Sequence, residues 1–311
     1  MKHFTSITDV EHPDALIQQV VNLKEQPQFS NIGKHKTLGL VFFNPSLRTR
    51  LSTQKAAQNL GMDVIVLNIN KDSWKVEFED GTVMNGATQE HIKDAVKVIS
   101  SYCDIMGVRS FATLEDREED YKERVLTNFV QYSSVPVISL ESATLHPLQS
   151  LTDMATITAS AIQRPKVVLS WAPHPKALPQ AVSNSFLQWS PAIDAEVVCA
   201  CPEGYELSDA FTGGITTMHN QEEAFADADF IYAKNWSSYD SYGATPAVEK
   251  DWTITVEKMA LTNDARFMHC LPIRRNVVAS DPVIDHSLVY QQAKNREYAA
   301  QAVLQNLLED L

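Results

Sequence analysis

The chain has 311 residues, of which 44% are hydrophobic, and 39 acidic against 26 basic residues give it a net charge of -13. This length predicts two domains, and the acidic balance argues against nucleic-acid binding, which needs a basic face. The longest apolar runs, such as residues 38–43, are too short to span a bilayer, and we expect neither a membrane segment nor a signal peptide. Four cysteines without CxxC or His/Cys metal spacing predict free thiols, no metal site and a cytoplasmic location.

Short apolar runs alternate with amphipathic segments along the whole chain. In the first half we predict strands over 37–43, 63–67, 104–108 and 135–140, and helices over 49–60, 91–102 and 121–132. In the second half we predict strands over 166–171, 196–201, 230–233 and 266–270, again separated by helical stretches. This alternation predicts an α/β fold with two doubly wound parallel-sheet domains. Gly39 weakens the first of these strands slightly.

Two helices and one loop complete the predicted organisation. Residues 148–163 form a helix that joins the two domains, and the helix over 287–310 packs back on the first domain. Five prolines fall between Pro165 and Pro191, which predicts a stiff, non-helical loop up to about Pro179. The loop is either an ordinary strand-to-helix connection or a wall of a substrate pocket.

Ligands of open α/β sheets bind beyond the carboxyl ends of the strands, so the residues after each strand are site candidates. The first strand is followed by Ser46, Leu47, Arg48, Thr49 and Arg50 at the start of a helix. Hydroxyls, helix-start amides and guanidinium groups together can bind a phosphate or carboxylate. Alternatively, Ser46 only caps the helix and the arginines are exposed.

Later strand ends add more polar residues. Arg109 follows the third strand, and Glu141, His146 and Gln149 follow the fourth. His146 and Gln149 can address one small polar group, although either alone could be structural. The cationic side chains at strand ends are Arg48, Arg50, Arg109, Lys234, Arg274 and, as a further candidate, Arg275. Their clustering in an acidic protein predicts an anionic small-molecule substrate.

Three segments carry a resemblance to a known family: residues 46–50 (SLRTR), 146–149 (HPLQ) and 269–272 (HCLP). In this order they resemble the signatures of the aspartate/ornithine carbamoyltransferase family, and the resemblance covers essentially the whole chain. Residues 51–53 (LST) and the lack of a Ser-Met-Gly motif depart from ordinary ornithine enzymes. With the proline-rich loop and residues 234–236 (KNW), these departures resemble the branch that acts on N-acylated ornithine.

The resemblance implies a carbamoyl-phosphate-binding domain over residues 1–147, with helix 286–311 packing back on it, and an acylornithine-binding domain over 148–285. It implies a homotrimer with shared active sites and a knotted second domain, in which residues 234–251 thread the proline-rich loop. The implied reaction moves the carbamoyl group of carbamoyl phosphate to the δ-amine of an N-acyl-L-ornithine. The products are N-acyl-L-citrulline and phosphate, in arginine biosynthesis, and neither cofactor nor metal is expected.

The resemblance also implies two sets of site residues. Carbamoyl phosphate would be bound by Ser46, Leu47, Arg48, Thr49, Arg50, Trp74, Arg109, His146, Gln149, Cys270, Leu271 and Arg296, of which Arg109, His146 and Thr49 are catalytic. The acylornithine would be bound by Glu90, Glu141, His174, Lys234, Leu271 and Arg274. Three of these residues have structural alternatives. Trp74 could anchor a loop instead of reaching a neighbouring subunit's site, Cys270 could be a core thiol, and Arg296 an exposed helix charge.

The acyl group is expected to be selected near Glu90. We predict that Thr88 caps the following helix, so that Glu90 could simply complement the helix dipole. By resemblance, acetylornithine-type members have Glu at this position and succinylornithine-type members Pro, whereas the rest of this chain, including its short length, resembles the succinyl type. Because Glu90 would repel a succinyl carboxylate, we predict a preference for N-acetylornithine.

Two other functions fit parts of the pattern. A catalytically silent relative could bind carbamoyl phosphate or a partner protein without turnover, but it would have no need for Arg48, Thr49, Arg109, His146 and Gln149 together. A nucleotide-binding dehydrogenase of the same fold class is excluded because no GxGxxG or GxxxxGK[ST] motif occurs.

Overall fold

A computed structural model describes residues 1–244 and 250–311 of the chain. The chain divides into two compact units. The first unit comprises Met1–Ala112, Glu118–Leu148 and Arg296–Leu311, and the second comprises Thr113–Arg117 and Gln149–Asn295.

The first unit is built on a four-stranded parallel sheet. The strands of this unit are β1 (Thr37–Phe42), β2 (Asp63–Asn68), β3 (Val76–Glu77), β4 (Glu90–His91), β5 (Ile105–Arg109) and β6 (Val137–Glu141). The main sheet has the order β2-β1-β5-β6, and β3 pairs with β4 separately, also in parallel. The helices that precede β6 in the chain are α1 (Pro13–Glu25), α2 (Arg48–Asn59), α3 (Ile69–Asp72), α4 (Ile92–Ser100), α5 (Arg117–Tyr121) and α6 (Arg124–Tyr132). Residues of β5 and β6 are buried throughout, as in a sheet covered on both faces.

The second unit holds a five-stranded parallel sheet of order β11-β10-β7-β8-β9. Its strands are β7 (Lys166–Trp171), β8 (Glu196–Ala200), β9 (Thr216–Met218), β10 (Phe230–Lys234) and β11 (Arg266–Met268). Its helices are α8 (Ala181–Trp189), α9 (Asp209–Thr212), α10 (Gln221–Phe225), α11 (Val256–Met259) and α12 (Asp281–Asp285). Two longer helices, α7 (Pro147–Thr158) and α13 (Val289–Glu309), contribute residues to both units.

The predicted α/β class with parallel sheets is confirmed, and every strand predicted from the apolar runs is present. The proline-rich segment is non-helical until α8 begins at Ala181, as predicted. The knot concerns residues 234–251, of which 245–249 lie outside the described residues, and it stays a prediction. Within the described part of the chain, no helix is long and apolar enough to cross a membrane.

Several predicted helix bounds are wrong for local reasons. The helix predicted over 121–132 begins only at Arg124, because Glu123 before it has the left-handed φ of 50°, and Tyr121 is instead the last residue of α5. The helix predicted to reach residue 163 ends at Thr158, and Ala161 and Arg164 then have positive φ values of 59° and 45°. The strands β3, β4 and β9 are only two or three residues long, too short to leave an alternating pattern in the sequence.

Gly39 lies in β1 because the sheet leaves no room for a side chain there. A Cβ atom at Gly39 would lie 2.4 Å from the Sγ of Cys103. We therefore expect Gly39→Ala to lower the free energy of unfolding by about 1–3 kcal/mol. Adding Cys103→Ala should restore part of it, because that change removes the clashing sulfur. Urea unfolding measures both effects.

The matched control is Gly86→Ala, because a Cβ there meets no atom within 4 Å and the residue has no positive φ. If Gly39→Ala and Gly86→Ala were equally stable, the close packing of Gly39 against Cys103 would be contradicted.

Candidate active site

A cleft of about 260 Å³ opens at the end of β1. It is lined by Phe42, Phe43, Asn44, Pro45, Ser46, Arg50, Asn68 and Lys71. Leu47 is the N-cap residue of α2 and makes no side-chain capping hydrogen bond, so the alternative that Ser46 caps this helix is wrong. The first amides of α2 therefore have no side-chain cap, which suits the binding of an oxyanion.

Lys71 is a cation of this cleft that the sequence prediction missed. It lies in α3, three residues beyond the last residue of β2. Its position shortly after the second strand is the sequence signal that marks Lys71 as a candidate.

Arg109, the last residue of β5, is buried, and both terminal nitrogens of its guanidinium group donate hydrogen bonds. Its Nη2 donates to Glu141 Oε2 at 2.9 Å, and its Nη1 donates to the backbone carbonyls of Asn44, at 3.3 Å, and of Pro45. The guanidinium carbon also lies 4.1 Å from the ring centre of Phe111. Arg109 therefore has a fixed position at the carboxyl edge of the sheet.

Glu141 joins two of the predicted catalytic residues. Its Oε2 contacts Arg109 and lies 3.6 Å from Nε2 of His146. All three side chains are almost fully buried. A shift of register between Val108 and Arg109 places Arg109 opposite Glu141. The prediction assigned Glu141 to the acylornithine, and the structure adds that its carboxylate contacts Arg109.

A carboxylate that the sequence prediction missed organises the loop between Glu141 and His146. Glu123 accepts hydrogen bonds from Ser142 Oγ at 2.6 Å, from the amides of Ala143 and Thr144 at 3.1 and 2.6 Å, and from Thr144 Oγ1. Its left-handed backbone leaves no periodic signal that could have marked it. The loop that carries His146 is thus held by one side chain.

Thr49 and Arg296 form a direct contact within the first unit. Arg296 Nη2 donates to Thr49 Oγ1 at 2.6 Å, and both side chains are buried. The alternative that Arg296 is an exposed helix charge is therefore wrong. Further along α13, Glu297 and Gln301 each accept a hydrogen bond from Asn59 Nδ2.

Trp74 and Glu90 are also joined, because Trp74 Nε1 donates to Glu90 Oε2 at 2.8 Å. Trp74 remains 50% exposed. Glu90 lies in β4, and His91 is the N-cap residue of α4, accepting a hydrogen bond from the amide of Lys93. The predicted cap at Thr88 is therefore wrong: its hydroxyl donates to Glu77, and Glu90 precedes the helix.

The second unit holds the remaining predicted residues in two groups. Gln149 contacts the buried Asp153 directly, and His269 is linked to Asp153 through Gln292. Gln149 is fully buried and Cys270 is 9% exposed. Gln149 donates to Asp153, and the Leu271 amide donates to His269 Nδ1 at 2.8 Å.

The other group consists of His174, Lys234 and Arg274. Arg274 Nε donates to His174 Nε2 at 3.1 Å. Burial lowers the pKa of His174, and the charges of Arg274 and Lys234 lower it further. A neutral His174 can accept this hydrogen bond and orient Arg274. Arg275, a further candidate among the strand-end cations, is held instead by Asp281 and Asp285 at 3.0 and 2.8 Å.

Comparison with known proteins places the chain in a family. The carbamoyl-P binding domain of aspartate/ornithine carbamoyltransferases matches residues 2–159, and the Asp/Orn binding domain of these enzymes matches residues 179–307. The chain therefore belongs to the aspartate/ornithine carbamoyltransferase family and is a carbamoyltransferase, as the sequence motifs predicted.

Within that family, the chain is most usefully compared with two kinds of relative. It is 50% identical to N-succinylornithine carbamoyltransferase of Bacteroides thetaiotaomicron, over 100% of both chains. It is 36% identical to N-acetylornithine carbamoyltransferase of Xanthomonas campestris, over 99% of this chain and 98% of that protein. The crystal structure of an N-acetyl-L-ornithine transcarbamylase superposes with a TM-score of 0.91 at 34% identity, covering 99% of this chain and 100% of that one.

Arg109 is the residue whose loss should affect catalysis most directly. We expect Arg109→Ala to lower the rate about 10²–10³-fold, as for the loss of one preorganised donor. It also leaves the buried Glu141 carboxylate unpaired, at a cost of about 3–5 kcal/mol. Arg109→Lys should lose similar activity with less destabilisation, because it keeps the charge but not the planar fork. Steady-state kinetics and thermal unfolding separate the two effects.

Near-normal turnover in a folded Arg109→Lys variant would show that Arg109 is only a structural charge. Arg275→Lys is the control, since Arg275 is bound to surface carboxylates and its exchange should leave the rate unchanged.

Proposed function

We propose that the protein transfers the carbamoyl group of carbamoyl phosphate to the δ-amine of an N-acyl-L-ornithine. The products are N-acyl-L-citrulline and phosphate, and the reaction belongs to arginine biosynthesis. The observation that carries this proposal is the buried Arg109–Glu141–His146 group in the same unit as the cleft at the α2 N-terminus. Full-length similarity to N-succinylornithine and N-acetylornithine carbamoyltransferases supports the acylated substrate.

The phosphate would be bound at the start of α2. Ser46, Arg48, Thr49 and Arg50 supply hydroxyl, guanidinium and backbone donors, with the exposed Leu47 between them. Arg296 contacts Thr49 directly and would add a further positive charge. Oxyanions are favoured where uncapped helix amides and arginine forks converge.

Charge develops on the carbamoyl oxygen when the amine attacks. Arg109, His146 and Thr49 would stabilise that oxygen, and they are already held in place before substrate binds. Preorganised donors of this kind are most effective in a site that excludes water. Gln149 and the backbone carbonyls of Cys270 and Leu271 would bind the carbamoyl NH₂ group.

The δ-amine must lose a proton before it attacks, since an alkylamine of the lysine type has a pKa of about 10.4. Nearby cations favour the neutral amine. The leaving phosphate can take the proton, so no side-chain base is required. Lys234 and Arg274, with Arg274 oriented by His174, would bind the α-carboxylate, and Glu141 is a further candidate for contact with the acylornithine.

In this proposal residues 1–147, with the C-terminal helix, bind carbamoyl phosphate, and residues 148–285 bind the acylornithine. The four free cysteines among the described residues fit a cytoplasmic enzyme. The substrates are small molecules, and the net charge of -13 argues against a nucleic-acid partner.

A citrulline colour assay with carbamoyl phosphate tests the proposed reaction. We expect colour with N-acylornithine and little or none with free ornithine. Binding of carbamoyl phosphate without turnover of any ornithine would instead support the catalytically silent relative.

We also propose a homotrimer in which Trp74 reaches a neighbouring subunit's site. Its half-exposed indole lies in the same unit as other exposed apolar side chains, such as Leu51, Ile65 and Val83. Large apolar side chains that are exposed in a single chain are compatible with burial between subunits. Light scattering should give three times the mass of one chain.

If sites are shared, two inactive variants should complement each other. Trp74→Ala and Arg109→Lys damage different contributions to one site, so subunits mixed by co-expression should show activity well above either parent. Activity equal to the mean of the parents would contradict shared sites, and a monomer by light scattering would contradict the trimer.

The acyl group would be selected at Glu90. Its carboxylate faces the partly exposed Trp74. Two negative charges about 4 Å apart repel by roughly 1 kcal/mol in water and about 4 kcal/mol at an effective dielectric of 20. An acetyl group carries no charge and escapes this repulsion. We therefore propose a preference for N-acetylornithine, although the chain is more similar overall to the N-succinylornithine enzyme.

Replacing Glu90 should shift this preference toward N-succinylornithine. Glu90→Gln removes the charge and keeps an acceptor for the Trp74 indole, whereas Glu90→Pro also removes the side chain. Proline is tolerated in edge strands, and both strands of the two-stranded β3–β4 sheet are edge strands. We expect kcat/KM for the succinyl substrate, relative to the acetyl one, to rise about fivefold or more in both variants.

Glu77→Gln, in the neighbouring strand β3, is the control for a general change of charge. An unchanged substrate ratio in both Glu90 variants would place the acyl selectivity elsewhere.

A further inference from the structure

A fully buried carboxylate in the second unit is not used by the proposed chemistry. Asp153 lies on α7, one turn beyond Gln149, and has no exposed surface. Its Oδ1 accepts two hydrogen bonds, from Gln149 Nε2 and from Gln292 Nε2, each at 2.7 Å. A buried charge is costly unless paired or hydrogen-bonded, so its retention calls for a physical reason.

The carboxylate determines which way both amides point. When ionised, this carboxylate only accepts hydrogen bonds, and both glutamines do turn their NH₂ groups toward Asp153. For Gln292 this orientation is determined twice, because its Oε1 also accepts a hydrogen bond from the backbone amide of His269 at 3.0 Å. A backbone amide can only donate, so the two contacts require the same orientation of Gln292.

Gln149 is oriented by the same rule. With Nε2 on Asp153, its Oε1 occupies the opposite branch of the planar amide. A carbonyl oxygen is the group needed to accept from the NH₂ of a carbamoyl group. If the amide were reversed, Gln149 would offer a second donor to a group that itself donates.

The same carboxylate is also linked to the loop after β11. Gln292 connects Asp153 to the amide of His269, and the ring of His269 in turn accepts from the amide of Leu271 at 2.8 Å. The hydroxyl of the fully buried Tyr232 faces Asp153 and Cys270; burial raises its pKa, and the Asp153 charge raises it further. Asp153 therefore lies at the centre of the groups predicted to bind the carbamoyl NH₂.

We propose that Asp153 is a positioning residue that fixes the amide orientation of Gln149, so that its carbonyl oxygen selects the NH₂ group of carbamoyl phosphate. Through Gln292 it orders the loop that carries Cys270 and Leu271. This inference rests on the proposed function, because it assigns Gln149 to the carbamoyl group.

Acetyl phosphate provides the test, because it has a methyl group where carbamoyl phosphate has NH₂. The measured quantity is the Ki of acetyl phosphate, as an inhibitor, divided by the KM of carbamoyl phosphate. In Asp153→Leu the ratio should fall about tenfold, chiefly because the KM of carbamoyl phosphate rises. In Asp153→Asn it should stay within about threefold of the wild-type value, since the asparagine oxygen can still accept from both glutamines.

Thr156→Val is the matched control. Thr156 lies on the same helix, accepts a buried hydrogen bond from Asn295 on α13 at 2.9 Å and donates to the Thr152 carbonyl at 2.7 Å. We expect it to lower thermal stability and leave the ratio unchanged. A purely structural role for Asp153 would make Asp153→Leu behave in the same way.

If Asp153→Leu fails to fold, a second pair of variants tests whether Asp153 positions Gln149. Gln149→Glu places two carboxylates together and should lower the ratio, whereas Gln149→Glu with Asp153→Asn should recover part of it, because loss of the Asp153 charge removes the repulsion between the two carboxylates. A wild-type ratio in folded Asp153→Leu, or no recovery in the double variant, would overturn the inference. Absence of carbamoyl transfer in the wild type would instead overturn the proposed function.

Discussion

Arg109 and Glu141 meet at the carboxyl ends of two neighbouring parallel strands because the register of β5 and β6 shifts by one residue. With regular pairing, Arg109 would face Leu140 and its charge would lie against an apolar side chain. The shift instead forms a buried ion pair of 2.9 Å and brings the same carboxylate within 3.6 Å of His146. Desolvating two charges costs several kcal/mol, so such a pair is explained less well by stability than by the need to hold a cation in place. The geometry of the first unit's candidate site depends on it.

Buried or half-buried carboxylates organise polar side chains at three places, two in the first unit and one in the second. Glu123 holds the loop before His146, Glu141 holds Arg109, and Asp153 orients Gln149 and Gln292. In each case an acceptor-only group determines the direction of donors. A chain with a net charge of -13 can in this way present cationic and amide groups to an anionic substrate without leaving those groups mobile.

The contact between Trp74 and Glu90 is the structural feature on which the proposed preference between acetyl and succinyl substrates depends. The overall similarity of the chain is greater to the N-succinylornithine enzyme than to the N-acetylornithine enzyme, yet Glu90 places a negative charge beside a partly exposed indole. Overall identity is an average over the fold, whereas the proposed discrimination between acyl groups depends on the charge at Glu90. In this proposal the charge of one carboxylate determines the acyl preference, although the rest of the chain is more similar to the N-succinylornithine enzyme.

The amino-acid sequence by itself determined the α/β class, the eight main strands, the family and most of the candidate residues, because these depend on local periodicity and on short motifs beside strand ends. It could not show Glu123, whose left-handed backbone breaks a helix pattern, or Lys71, which follows a strand end that carried no motif. It misplaced the cap before α4, because residue type favours Thr88 as an N-cap, whereas the chain first forms the short strand β4 and the helix begins only at Ile92. Only the tertiary structure decided that Arg275 is bound by Asp281 and Asp285 and that Arg296 lies on Thr49. Thr49 lies 247 residues from Arg296 in the chain, so packing between distant elements sets that contact. The partners of Arg275 are nearer in the chain, but their contact depends on how the segment between β11 and α12 folds, which no periodic pattern encodes.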